Sequence, residues 1–147
     1  MNLITELRAK SASAETIKNE VIAEIKNAFD KYLNGDGLEN YLRKRIGTTE
    51  IKERKVFMSV EFWEYHDGCS TTHFHCGGGV WYNPENKDGW KSHDYKGVEL
   101  RTIDKEIGNY LSARLVSRMN ELGFYLVSKE DATSRLGYYH TNFYFGW

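Results

Sequence analysis

Residues 55–66 alternate between two sets of side chains, and this period-two pattern constrains the fold more than any other segment. One set is aliphatic or aromatic and would face a core: Val56, Met58, Val60 and Phe62. The alternate positions are Phe57, Ser59, Glu61, Trp63 and Tyr65. Such alternation is typical of a β-strand. Asp67 and Gly68 follow it and favour a two-residue hairpin turn, so a return strand is expected from Ser70 to about Tyr82.

Three other segments have apolar residues at spacings of three and four, which indicates amphipathic helices. The first spans 11–33, with Ser13 as its expected N-cap. The second is shorter and spans 36–46, beginning near Asp36. The third runs from Thr102, its expected N-cap, to Leu122.

The C-terminal part predicts a second hairpin. Residues 124–128 indicate a short strand, 128–136 a loop or a single helical turn, and 138–147 a terminal strand. The resulting order is α-α-β-β-α-β-β. It predicts an α+β two-layer sandwich, in which helices pack on an antiparallel sheet of about four strands arranged as two hairpins. We expect residues 1–147 to form a single domain.

Composition restricts the functional classes. The chain has 20 Lys and Arg against 21 Asp and Glu, for a net charge of −1, which argues against a dedicated duplex-DNA-binding protein. No apolar run approaches the ~18 residues that a membrane span requires, so no membrane association is expected. The two cysteines occur without an apolar N-terminal leader. We therefore expect thiols in a cytoplasmic protein.

The segment 61–82 contains three of the five histidines and both cysteines. A two-residue turn would pair Phe62 with His73 and Val60 with His75, and would direct Cys76 to the opposite face. The sequence CSTTHFHC is therefore not expected to form a four-ligand zinc site, because its ligands would not converge.

His73 and His75 are separated by one residue and could chelate one metal ion. The candidates for a third ligand are His93, Asp94 and His140. This pattern supports a metal-dependent enzyme that uses zinc or another divalent transition metal. The alternative is that both imidazoles are ordinary half-buried residues of the sheet.

Gly77–Gly79 support two interpretations. Consecutive glycines can let a backbone approach a phosphate, which would indicate a binder of a small phosphorylated ligand with Trp81 and Trp90 nearby. Glycines inside a strand also mark bulges or tight packing.

The leading hypothesis is a non-catalytic binding protein with an aromatic sheet face. The candidate binding residues are Trp63, Tyr65, Phe74, Trp81, Trp90, Tyr138 and Tyr144. Together with the loop 83–97, they would engage a macromolecule. A protein partner is favoured over single-stranded nucleic acid. An inhibitor-type accessory protein of a mobile element is one example of this class. Alternatively, helices cover both sheet faces, and these aromatic residues belong to the core.

Overall fold

The computed structural model describes residues 2–66, 70–76, 79–82, 94–99, 102–133 and 139–147. For 61–66, 70–76, 79–82, 94–95 and 133 this description is limited to the backbone. In chain order, the elements are α1 (Leu3–Asn34), α2 (Asp36–Arg45), α3 (Thr48–Glu53), β1 (Lys55–His66), β2 (Ser70–Cys76), β3 (Gly79–Tyr82), β4 (Asp94–Tyr95), β5 (Val98–Glu99), α4 (Asp104–Glu121), β6 (Tyr125–Thr133) and β7 (Tyr139–Gly146).

The main sheet is antiparallel and has five strands in the order β3-β2-β1-β7-β6. β4 and β5 form a separate two-stranded ribbon. The α+β class and the antiparallel sheet with its two hairpins are therefore confirmed. The fifth strand arises because the expected return strand is divided into β2 and β3, which pair with each other in opposite directions.

One face of the sheet packs against α1 and α4. Val56, Met58 and Val60 of β1 are buried there, beside Phe143 and Phe145 of β7. The helical residues that complete this core are Val21, Ile25, Phe29, Leu33, Ile107, Leu111, Leu115 and Met119. The alternation in β1 therefore identified its core-facing residues, because successive side chains of a strand lie on opposite faces.

Polar contacts join α1 to α4 beside the core. The Asp30 carboxylate accepts hydrogen bonds from the Tyr110 hydroxyl at 2.9 Å and from Arg114 Nε at 3.0 Å. Burial raises the pKa of the Tyr110 hydroxyl, and the hydrogen bond to Asp30 raises it further. Arg118 Nε donates to the carbonyl oxygen of Leu33 at 3.0 Å, which places a cation at the C-terminal end of α1.

The first helix is longer than its apolar stripe predicts. It begins at Leu3, where Asn2 is the N-cap and accepts a hydrogen bond from the Thr5 backbone N–H. Ser13 therefore lies inside the helix, and its assignment as N-cap was wrong. Burial begins only at Val21, so core packing specifies the second half of α1 alone. The first half has no proline or glycine that would end a helix.

The segment after Gly123 also differs from its prediction. Residues 128–133 continue β6, so the expected loop or helical turn is a strand there. Within this strand, Asp131 accepts a hydrogen bond from the buried Thr141 hydroxyl at 3.1 Å. A buried hydroxyl requires such a partner.

Two other helices, α4 and α3, also differ from what the sequence predicts. α4 begins at Asp104 with Ile103 as N-cap, while Thr102 instead donates its hydroxyl to the Glu99 carbonyl oxygen at 2.6 Å. The short helix α3 was not predicted; it has no buried residue, so it leaves no apolar stripe in the sequence.

Candidate functional site: the outer face of the sheet

The register between β1 and β2 differs by one residue from the expected one. His66 pairs with Ser70, so three residues, 67–69, connect the strands instead of two. The paired positions include Trp63 with His73 and Glu61 with His75. Because a shift of one residue exchanges the two faces of a strand, the assignment of His73 and His75 to the face of Val60 was wrong. Their positions belong to the face opposite the core.

Cys76 changes sides for the same reason. Cys76 pairs with Val60, so its position belongs to the core face and not to the outer face. The argument against a four-ligand zinc site still applies, because Cys76 and His75 are adjacent in one strand and so alternate between faces.

Three aromatic rings, two of them exposed, lie on the outer face across the neighbouring strands β1, β7 and β6. We name Phe57, Tyr144 and Tyr125 the outer aromatic patch. Phe57 and Tyr144 are directly paired across the strands, with ring centroids 5.3 Å apart in an edge-to-face arrangement. Tyr144 is 43% exposed and Tyr125 is 57% exposed. Burying such rings against a partner would be favourable.

The absence of a side chain at Gly146 leaves room for the third ring of the patch, that of Tyr125. Tyr125 pairs with Gly146, and a Cβ atom at Gly146 would lie 2.6 Å from Cζ of Tyr125. The Tyr125 ring therefore rests across the glycine backbone. Lys55, which also pairs with Gly146, places its Nζ 5.6 Å from the centroid of the Tyr144 ring. This cation–π contact stabilises the patch at its edge.

Polar side chains continue the outer face along β7. His140 Nε2 lies 2.9 Å from Asn142 Oδ1. This contact joins two side chains on the same face of β7. Glu130 of β6 pairs with Asn142. Of the outer-face side chains that the structure describes, one is a lysine, Lys55, and one is a carboxylate, Glu130, so this surface is close to neutral.

The sequence-predicted binding residues are described to different extents. Tyr144 lies in the outer aromatic patch. The strands contain Trp63, Tyr65, Phe74 and Trp81, whose backbones alone are described. Trp90, Tyr138 and most of the loop 83–97 lie outside the described residues. The candidate binding role of these residues therefore remains a prediction.

Some of the predicted metal-binding residues are described by the structure and others are not. His73 and His75 occupy β2, and His140 lies in β7. His93, Gly77 and Gly78 lie outside the described residues, while Gly79 begins β3. Among the side chains that the structure describes, no group of three His, Cys, Asp or Glu residues is placed to hold a metal ion.

Two residues of the patch were missed by sequence reasoning. Phe57 was placed on the correct face but was not selected as a site residue. Tyr125 begins an apolar triplet that does not alternate, because a register shift at Val127 interrupts the pairing of β6 with β7. The signal in the sequence was the run of three apolar residues Tyr125, Leu126 and Val127, all of which are exposed in the structure.

A groove of about 380 Å³ lies on another side of the molecule, between α2 and the end of α4. It is lined by Glu39, Leu42, Arg43, Ile46, Leu122 and Phe124. The Glu39 carboxylate lies 3.6 Å from Arg43 and 4.0 Å from Arg118. Because these charges already pair with each other, the groove offers a ligand mainly apolar contact.

Comparison of the chain with protein-family models, curated proteins and solved structures gives no match. No helix in the described part of the chain is both long and apolar enough to cross a membrane.

Proposed function

We propose that the chain is a cytoplasmic, non-catalytic interaction protein that binds another protein through the outer face of its sheet. The observation that supports this proposal is the exposure of the outer aromatic patch on the face opposite α1 and α4. Exposed tyrosines are enriched among the residues that dominate protein–protein binding energy. The loop 83–97 and the aromatic residues of β1–β3 would extend this surface.

Charge favours a protein over single-stranded nucleic acid as the partner. Stacking of bases on aromatic side chains is usually combined with a basic groove that follows the phosphate backbone. The described outer face has Lys55 balanced by Glu130, and the whole chain has a net charge of −1. An inhibitor-type accessory protein of a mobile element would use such a surface by occupying a partner's own binding site.

Site-specific crosslinking tests the surface directly. A photoreactive residue at position 144 should crosslink to a defined protein in cells, whereas the same residue at position 51 should not. Ile51 is the matched control, because it is 61% exposed on α3, outside the patch. Equal crosslinking from both positions would contradict a specific outer-face interaction.

Affinity for the crosslinked protein supplies the second measurement. Tyr144→Ser should weaken binding by about tenfold or more, as expected when a hot-spot ring is removed. Ile51→Ser should leave the affinity unchanged. Salt-sensitive retention on single-stranded DNA or RNA that is lost in Tyr144→Ser would instead identify a nucleic-acid-binding surface.

A further inference from the structure

The pairing of three strands places a carboxylate residue among the histidines of the outer face. Glu61 of β1 pairs with His75 of β2 on one side and with His140 of β7 on the other. His73 is two residues before His75 in the same strand. Glu61, His73, His75 and His140 therefore occupy neighbouring positions on the sheet face opposite the core.

The usual distances in an antiparallel sheet place Glu61, His73 and His75 close to one another, whereas His140 is farther from the other two histidines. Directly paired residues have Cβ atoms about 5 Å apart, and diagonal neighbours are about 7–8 Å apart. Glu61, His73 and His75 thus form a compact triangle across β1 and β2. His140 is two strands from His75, about 10 Å at the usual strand spacing.

The backbone is irregular beside this triangle. The register of β2 with β3 shifts between Phe74 and His75, because Phe74 pairs with Tyr82 while His75 pairs with Val80. One extra residue, Trp81, lies in β3 at this point. Bulges of this kind are enriched next to functional sites, where they change the direction of side chains.

We propose that Glu61, His73 and His75 form a binding site for Zn²⁺ or a similar divalent transition metal. Two imidazole nitrogens and one carboxylate oxygen are ligands that such ions accept, and they leave a fourth tetrahedral position for water. The register, and not the sequence spacing, assigns Glu61 as the third ligand. His140 lies outside this ligand set, and its Nε2 is held by Asn142.

Metal titration of the full chain tests the site. Wild-type protein should bind one equivalent of Zn²⁺ by calorimetry, and Co²⁺ should give the visible absorption of a tetrahedral complex. Glu61→Gln, His73→Gln and His75→Gln should each reduce affinity about tenfold or more, a loss of at least about 1.4 kcal/mol of binding free energy. The matched control is His140→Gln, which removes an imidazole from the same face and should change affinity less than about twofold.

A measurement on the wild-type chain removes the dependence on how well each variant folds. Addition of Zn²⁺ should shift the ring NMR signals of His73 and His75 strongly and those of His140 weakly. The site is contradicted if wild-type protein binds neither metal. It is also contradicted if His140→Gln weakens binding as much as Glu61→Gln, or if Glu61→Gln binds Zn²⁺ like the wild type.

Discussion

The ring of Tyr139 in β7 lies so close to Gly108 in α4 that a Cβ atom at position 108 would overlap the ring carbons. The Tyr139 hydroxyl forms a hydrogen bond with Ser112 Oγ, one turn further along α4. The Tyr139 backbone N–H donates to the Asp104 carboxylate at 2.8 Å. Three contacts along α4 therefore join this helix to Tyr139 of β7, in addition to the packing of its apolar residues in the core.

Gly108→Ala should destabilise the protein despite the higher helix propensity of alanine. The propensity gain is about 1 kcal/mol, whereas overpacking at a constrained ring costs about 1–3 kcal/mol. The free energy of unfolding in urea should therefore fall by about 1 kcal/mol, and by about 2 kcal/mol at most. Asn109→Ala is the control, because Asn109 is exposed and should tolerate the change. A Gly108→Ala protein more stable than the wild type would show that the ring moves aside freely.

Tyr110→Phe should change the dependence of stability on alkaline pH. Burial and the hydrogen bond to Asp30 raise the pKa of Tyr110 above its ordinary value of 10.0. The folded state therefore holds this proton more tightly than the unfolded state does. The resulting stabilisation is complete below pH 10.0 and is lost as the pH rises through the folded-state pKa.

The measurement is the free energy of unfolding of both proteins between pH 7 and pH 11. At pH 7 the wild type should be more stable by about 0.5–1.5 kcal/mol, which is the usual value of one hydrogen bond. The difference should decrease above pH 10.0. Titration of lysines contributes to both proteins and largely cancels. A difference that stays constant across this range would contradict the raised pKa.

Arg54→Gly should stabilise the end of α3. Arg54 is the C-cap of this helix and has φ of 55°, in the left-handed region. A left-handed conformation costs a non-glycine residue about 1–2 kcal/mol, and glycine avoids most of this cost while losing more entropy on folding. The expected net gain is about 0.5–1 kcal/mol by thermal or urea unfolding. Lys52→Gly, inside the same helix, should instead destabilise by about 1 kcal/mol.

The sequence was sufficient to predict strands in which buried residues alternate regularly with residues of the other face. Val56, Met58 and Val60 are buried and alternate with the half-buried Phe57 and Ser59, so their common face could be predicted from the alternation. Tyr144 was selected as a candidate binding residue because it is aromatic, and its pairing with Phe57 places it on the outer face. Phe143 and Phe145 provide the buried counterpart in β7.

The features of the sheet that could not be predicted each depend on a shift of one residue in register. Asp67 and Gly68 favour a two-residue turn, but the strands pair as if three residues connect them. This difference moves His73 and His75 to the other face and brings Glu61 opposite His75. Likewise, the register shift beside Val127 interrupts the alternation of β6, and only the first part of this strand was predicted. Local preference does not specify either feature, because pairing with neighbouring strands determines both.

Gly146→Ala should affect the outer aromatic patch more than it affects stability. A Cβ atom there would meet the Tyr125 ring, as Gly108→Ala would meet Tyr139. However, Tyr125 is 57% exposed and can rotate into solvent, whereas Tyr139 is held by Ser112. The stability loss should therefore be under about 1 kcal/mol, clearly smaller than that of Gly108→Ala.

The rotation of Tyr125 should be visible in the exposure of its ring. In Gly146→Ala, Tyr125 should become more reactive towards tyrosine iodination, and affinity for a partner crosslinked through position 144 should fall severalfold. Val127→Ala, which also alters an exposed residue of β6, is the control and should leave the Tyr125 ring in place. If Gly146→Ala lowers the free energy of unfolding as much as Gly108→Ala does, the outer ring is as constrained as the inner one. The patch would then be a fixed part of the fold instead of an adaptable contact surface.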